Sequence, residues 1–405
     1  MKKNTAIVVG LGFGDEGKGV TTDYLCTTMK TPLVIRFSGG HQAGHTVTLQ
    51  DGKSHVFSSF GSGTLRGIPT YWSQYCTLYP IGFLTEYETL LSLNTKPKIY
   101  VDALAMVTTP YDVAYNRATE LANQHGSCGI GFSATVERST LTPNRLYVED
   151  LQYEHVLRFK LAAVKAYYDK KVAQLQNTKI TEAYNYIIEN NFSLEYFITT
   201  AKDIVEIIDI VHEYDILQRF DNIIFEGSQG ILLDQDHGFF PHVTRAYTTT
   251  RNAMEMIIKN KLPLPTIYYI TRAYQTRHGN GPMTNETMSL SLQNTEKETN
   301  QKNEWQGTFR KSPLDVDLLN YALSVDANYA LQSKKCLVIT CLDQIVGETL
   351  ITKNGERITI STYEDLILDE HIDAVQFEQI LLNNGGKAET MQTTTLSQRI
   401  SCEAA

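Results

Sequence analysis

A carboxylate and an ammonium lie inside one glycine-rich run, Gly10-Leu11-Gly12-Phe13-Gly14-Asp15-Glu16-Gly17-Lys18-Gly19, directly after a short apolar segment. Gly12, Gly17 and Lys18 fit the GxxxxGK part of a phosphate-cradling loop, where backbone N–H groups and one lysine face phosphate oxygens at a helix start. The following residue departs from that pattern. Gly19 stands where such loops carry the Ser or Thr hydroxyl that holds magnesium, and Asp15 is the obvious replacement donor. A carboxylate beside a phosphate is repelled unless it binds the metal or takes a proton. Asp15 therefore points to chemistry at the loop, although the glycines alone are also compatible with a plain tight turn.

A second loop reads Arg36-Phe37-Ser38-Gly39-Gly40-His41-Gln42-Ala43-Gly44-His45-Thr46-Val47. Histidines four apart make a metal pair only on a helix, and Gly39, Gly40 and Gly44 argue for a loop, so zinc is disfavoured. A loop histidine beside bound phosphates serves better as a general acid or as a donor to developing negative charge. Asp234, Asp236 and His237 look like a metal cluster, and bracing a loop through hydrogen bonds is the alternative. His242 and His278 carry no functional signal.

The elements that must hold these loops follow from short apolar runs. Thr5 to Gly10 and Pro32 to Phe37 are strands buried on both faces, with a helix from Lys18 to Met29 between them. Further strands are expected at Lys98 to Val101, Asn222 to Phe225, Pro265 to Ile270 and Cys336 to Thr340, and helices at Tyr111 to Gln124, Glu154 to Gln176 and Ala201 to Gln218. Asn354-Gly355 predicts a late antiparallel hairpin within Ile345 to Ile360. Asn285 to Gln306 reads as a long surface loop. The fold class is α/β: a large, mostly parallel central sheet flanked by helices, with the phosphate loop after the first strand, in one large domain over residues 1–405.

Composition narrows the function classes. The chain has 405 residues, 42% hydrophobic and 20% charged, which excludes disorder, collagen and coiled coil. A net charge of -9 disfavours bulk nucleic-acid or membrane binding, so an anion site must be built locally. Six scattered cysteines without a CxxC pair read as reduced thiols, and the N-terminus lacks a signal or membrane span; the expected compartment is the cytoplasm.

Taken together, GDEGKG at Gly14 to Gly19 and GGHQAGHTV at Gly39 to Val47 resemble the adenylosuccinate synthetase family. Gly126-Ser127-Cys128-Gly129-Ile130-Gly131 is similar to its GTTGRG loop, and Phe225 to Asp234 to its FEGAQGTLLD. Asp236-His237-Gly238 through Pro241, Val243 and Thr244 follow in family order. Ala273-Tyr274, Thr276-Arg277, Gly279 and Gly281-Pro282 resemble AYxTRxGxGP, and Leu342-Asp343 the end of TKLD, with a fainter echo at Glu389-Thr390-Met391. The resemblance implies that a triphosphate, normally GTP, phosphorylates the 6-oxygen of inosine monophosphate, and that aspartate displaces the phosphate. It implies Asp15 as base toward purine N1 and as magnesium ligand, His45 as donor to the 6-oxygen or transferring phosphoryl, and Lys18 as neutraliser of the phosphates. Gln229 would hold the purine, and the Gly44 carbonyl would join Asp15 on magnesium. Gly14, Glu16, Gly17, Lys18, Gly19, Gly44, His45, Thr46 and Asp343 would bind the triphosphate. Asp15, Gln42, Ser127, Cys128, Gln229 and Thr244 would bind the monophosphate. A homodimer is implied, with the site completed across the interface.

Departures bear on the substrates. Cys128 replaces a threonine, giving a weaker donor. Gln42 replaces an asparagine. The arginine that crosses the family dimer has no aligned equivalent, leaving Arg138 or Arg145 as the forked donor. The amino-acid loop is shorter; Arg310, helped by Lys311 and Thr308, is its remaining carboxylate fork. Asp343 favours guanine, but Cys341 replaces a lysine and the late STGP loop is Leu382-Asn383-Asn384-Gly385, so ATP stays open. The alternatives are a divergent ligase using another purine monophosphate, triphosphate or amino acid, and a nucleotide-binding regulator without turnover.

Overall fold

The computed structural model describes residues 3–41, 43–123, 126–295, 298, 300, 307–361, 378–381 and 393–395. Gln42, Leu382 to Gly385, Glu389 to Met391 and Cys402 lie outside the described residues. At the centre runs the strand Asn4–Gly10, whose continuous apolar sequence is explained by burial on both faces. Ile7 and Val9 pack with Ile35, Phe225 and Tyr269 on one side. Ala6 and Val8 pack with Leu25, Val34 and Val338 on the other.

Among the described residues the sheet has ten strands. From one edge to the other they are Asp209–Val211, Ile99–Asp102, Thr70–Trp72, Leu33–Arg36, Asn222–Glu226, Asn4–Gly10, Thr266–Arg272, Lys334–Thr340, Glu378–Leu381 and Thr393–Thr395. Every neighbouring pair is parallel except the last. Helices cover the faces, and those at Pro80–Ser92, Pro110–Asn123, Glu154–Gln174, Thr178–Asn191 and Leu194–Ile207 enclose a further core around Trp72, Val101, Leu161, Tyr168 and Ile204. The expected α/β class and late hairpin are present. In the hairpin Thr349–Lys353 pairs with Glu356–Ile360, and Asn354 and Gly355 take the positive φ angles of 54° and 73° that the turn demands. The Asp317 carboxylate accepts both turn N–H groups, at 2.7 and 2.8 Å.

Two expectations are corrected. The helix expected from Ala201 to Gln218 ends at Ile207; Asp209–Val211 is an edge strand on Ile99–Asp102, and a short helix Glu213–Leu217 follows. Ile207, Ile208, Ile210 and Val211 are all β-branched, and so short an apolar run satisfies both periodicities until a neighbouring strand selects one. The strand Thr70–Trp72 was not anticipated. Its three residues carry too little pattern to register, yet they are fully enclosed between Leu33–Arg36 and Ile99–Asp102.

Candidate active site

Ligands in open parallel sheets gather beyond the carboxyl ends of the strands. There the structure opens a cleft of about 1520 Å³ lined by the Gly14 to Gly19 loop, Gly44 to Thr46, Ser127, Cys128, Gln229 and Thr244. Residues separated by more than two hundred positions are thus brought to one surface.

The first loop needs left-handed backbone at Gly14 (φ 91°), Asp15 (59°) and Gly17 (94°). Aspartate is among the few non-glycine residues that tolerate this region. The turn holds the half-buried Asp15 at the cleft, and Arg272 Nε donates to the Asp15 carbonyl. Lys18 begins the helix Lys18–Thr28 and is 3% exposed; burial lowers its pKa, opposed by Glu16, Asp15 and Glu226.

Glu16 departs from the simple triphosphate-binding expectation. Its carboxyl is turned under the loop, where Oε1 accepts the Gly12 N–H at 2.5 Å and Oε2 is buried without a hydrogen bond. At Gly10 this carboxyl and the Gln229 carbonyl oxygen take the space a Cβ would need, and at Gly230 the Gly12 carbonyl does. Burial raises its pKa from 4.5 to about 7, against the opposing pull of Lys18. With the folded value above the unfolded one, the unfolded chain ionises first as pH rises from 4.5 to 7, so stability falls across that window. Glu16→Gln is expected to flatten this dependence and to raise stability above pH 7 by as much as about 3 kcal/mol, measured by denaturant unfolding at pH 5 and pH 8. An unchanged pH dependence would show that Glu16 does not titrate there.

His45 is the first residue of the short strand His45–Thr48, which pairs with Ser54–Phe57; the sequence reading of a loop histidine is corrected to that extent. Its Nδ1 lies 2.7 Å from Glu226 Oε1 at the end of the central-sheet strand Asn222–Glu226. Glu226 is fully buried and also accepts from the Ser62 hydroxyl and, at 3.0 Å, from the Ser62 N–H. Burial opposes the charge on Glu226, but His45 and Arg36 hold its carboxyl below the usual range. Burial brings His45 down to about 4 despite Glu226, so at pH 7 the ring is neutral. A carboxylate can only accept, which assigns the proton to Nδ1. Nε2 is buried with no hydrogen-bond partner, leaving it for a ligand. His41 also lines the cleft, with its Nδ1 2.7 Å from Ser59 Oγ.

Opposite the loop, Gln229 takes a left-handed φ of 49° and its Oε1 accepts from Ser228 Oγ at 2.9 Å. Gly126 to Gly131 precedes the helix Phe132–Leu141, an N-terminus suited to anions. Asn116 holds the Ser127 hydroxyl at 3.1 Å, and burial pushes the Cys128 thiol up to about 11, so it is a neutral, weak donor. Asp234 braces the Gln229 turn, accepting the N–H groups of Asp236 and Thr248 at 3.0 and 2.7 Å.

Other expected residues are not brought to the cleft. Arg138 is fully buried and spends its guanidinium on Asp112 at 2.9 and 3.0 Å and on the carbonyls of Val107 and Asn144. It is corrected to an internal brace, and Arg145, exposed, is the remaining forked donor. Arg310 does not line the cleft; it donates to the carbonyls of Gly279 and Gly281 and to Glu286 Oε1 at 2.7, 2.6 and 2.8 Å. Thr308 is exposed, and half-buried Asp343 follows Cys341, which does line the cleft.

Sequence reasoning missed three side chains. His278 lies with Nε2 3.5 Å from Asp15 Oδ2, its ring 4.8 Å from that of Phe309. Arg272 also pairs with Glu298 at 2.7 Å, and Arg277 sits 4.1 Å over the Phe13 ring. The usable signal was an arginine at the end of a buried strand, where cleft residues collect.

Among the described residues no group of three or more His, Cys, Asp or Glu side chains is arranged to hold a metal, and no helix is long and apolar enough to cross a membrane. The donors at the loop are oxygens, the Asp15 carboxylate and backbone carbonyls, which suit a hard cation sharing its shell with phosphate and water.

A family model described as adenylosuccinate synthetase matches residues 7–380. Adenylosuccinate synthetase of Blochmanniella pennsylvanica is 33% identical over 296 residues, covering 69% of this chain and 64% of that one. The Marinomonas enzyme of the same name is 32% identical, covering 71% and 65%. The matched part thus spans just under two thirds of the length of these curated relatives. Among solved structures, fully ligated adenylosuccinate synthetase from Plasmodium falciparum superposes with a TM-score of 0.62 at 18% identity, covering 91% of this chain and 85% of that one. Cyanophage S-2L succinoaminodeoxyadenylate synthetase, bound to dGMP and dATP as energy donor, gives 0.55 at 17% identity, covering 84% and 85%.

Proposed function

This chain belongs to the adenylosuccinate synthetase family, and from that premise we propose that it is a magnesium-dependent purine-nucleotide ligase. A triphosphate, GTP in the simplest case, transfers its terminal phosphoryl group to the 6-oxygen of inosine monophosphate. The aspartate amine then displaces phosphate to give adenylosuccinate. The observation that carries this reading is the convergence of Asp15, Lys18, His45 and Gln229 on one cleft.

The chemistry makes the division of labour intelligible. An amide-like oxygen is a weak nucleophile and a poor leaving group, so the purine must lose its N1 proton before the oxygen can attack phosphorus. Asp15 takes that proton. Gln229 orients the purine, and the buried Lys18 offsets the charge of the transferring group. His45, with its Nδ1 proton committed to Glu226, turns Nε2 to the oxygen or to the phosphoryl group and donates there once Nε2 takes up a proton, the resulting charge being balanced by Glu226. Magnesium, when bound by Asp15 and the Gly44 carbonyl, supplies further neutralisation of the phosphates. The Gly126 to Gly131 loop with Ser127, Cys128 and Thr244 holds the monophosphate. Arg310 serves the amino-acid carboxylate only if its bonds to the 279–281 turn open. We also propose a single domain, a cytoplasmic location and a homodimer in which Arg145 approaches the partner's monophosphate.

The test is product formation followed by mass spectrometry, with aspartate and magnesium, GTP and ATP supplied separately. Inosine monophosphate is the first acceptor, and dGMP, a ligand of the cyanophage enzyme, the second. A succinylated nucleotide is expected, and the faster triphosphate identifies the donor. Binding without product for either acceptor and a panel of amino acids would overturn the ligase reading in favour of a regulator.

A further inference from the structure

The phosphate loop ends in glycine where a metal-holding hydroxyl is usual, and the space beside that glycine is occupied. A Cβ built on Gly19 would lie 2.9 Å from His45 Cβ, 3.1 Å from Ser62 Oγ and 3.3 Å from the Thr46 carbonyl. The nearest of these is anchored directly to backbone and cannot swing aside. Nor does the backbone call for glycine: residue 19 lies in the first turn of the helix Lys18–Thr28 and is absent from the positive-φ glycines. An interior helical glycine is unfavourable relative to alanine, so its presence is explained by room and not by conformation.

What fills that room is a buried chain of hydrogen bonds. Ser62, fully buried, binds both oxygens of Glu226, its hydroxyl to Oε1 and its N–H to Oε2 at 3.0 Å. Glu226 Oε1 in turn accepts from His45 Nδ1 at 2.7 Å. With both carboxylate oxygens pinned, the carboxylate plane is fixed and the ring that hangs on it is fixed too. We infer that Ser62 and Gly19 are positioning residues for His45: Ser62 orients it through Glu226, and Gly19 leaves it room. This inference rests on the ligase reading for its effect on turnover, and the relay itself is testable without turnover.

The full-length protein is compared with Ser62→Ala, Gly19→Ser and Gly19→Ala. Each is measured for kcat and for triphosphate KM in the ligation assay, and by ¹⁵N NMR of the His45 ring, assigned by its loss in His45→Asn. Ser62→Ala is expected to lower kcat about 10-fold with KM for the triphosphate nearly unchanged. Gly19→Ser, which restores the usual hydroxyl, is expected to lower kcat by at least about 100-fold and to shift the His45 ring signals. Should the serine variant fail to fold, Gly19→Ala carries the same clash with a better helix former and is expected to lose turnover likewise. Wild-type kcat in Gly19→Ser or Gly19→Ala, or a wild-type His45 protonated on Nε2 in place of Nδ1, overturns the relay. If the wild-type chain yields no product, the ligase reading fails alone, and the NMR signature still decides the relay.

Discussion

Asp15→Asn is expected to lower turnover by at least about 1000-fold while leaving the melting temperature within a degree or two of wild type. The choice of asparagine matters. Residue 15 sits at φ 59°, a region that asparagine and aspartate tolerate and alanine resists, so the loop keeps its shape. The Arg272 bond is to the backbone carbonyl and survives the exchange. What disappears is the capacity to accept a proton and the negative charge that a hard cation needs. Because both losses fall on the phosphoryl-transfer step, kcat should collapse while the monophosphate KM, set by Gln229, Thr244 and the Gly126 to Gly131 loop, changes little. Turnover above a tenth of wild type would remove Asp15 from the role of base.

The strands legible in the sequence were buried and long enough to show a pattern; Thr70–Trp72, equally buried, has only three residues. Asn4–Gly10, Leu33–Arg36, Asn222–Glu226 and Lys334–Thr340 are enclosed on both faces along most of their length, so they read as near-continuous apolar runs whose polar residues, Arg36 and Glu226 among them, fall at the ends. The stretch after Ile204 was not legible, because β-branched residues near a helix end suit either periodicity and only the free edge of Ile99–Asp102 decides. The site divides in the same way. The two glycine loops announce themselves locally, since their conformations require particular residues at particular spacings. Partnerships formed only in three dimensions do not. Nothing in the segment around Arg138 reveals that Asp112, 26 positions earlier, claims its guanidinium, or that His278 would face Asp15 from 263 positions away. Glu226 was visible as part of a motif, but its hold on His45 spans 181 positions.

That hold yields the second large effect. Glu226→Gln preserves shape and burial but replaces one acceptor oxygen with an NH2 donor. Ser62 presents its N–H to one oxygen and its hydroxyl to the other, while His45 Nδ1 shares the latter. If the amide nitrogen faces the Ser62 N–H, two donors meet in a buried site. If it faces His45, Nδ1 must become the acceptor and the tautomer inverts. Both arrangements remove the negative charge that works against burial to raise the His45 pKa. In the first, Nε2 becomes harder to protonate as charge develops on the phosphoryl group; in the second, the ring carries its proton on Nε2 but has lost the carboxylate that orients it and balances its charge. The expected loss in kcat is about 100- to 10,000-fold, as for other histidines deprived of an orienting carboxylate. His45→Ala should cost at least as much. The double variant should be no slower than His45→Ala alone, since Glu226 acts on the reaction only through that ring. Losses that multiply in the double variant would mean that Glu226 has an independent catalytic task, and the His45 assignment would have to be redrawn around the carboxylate.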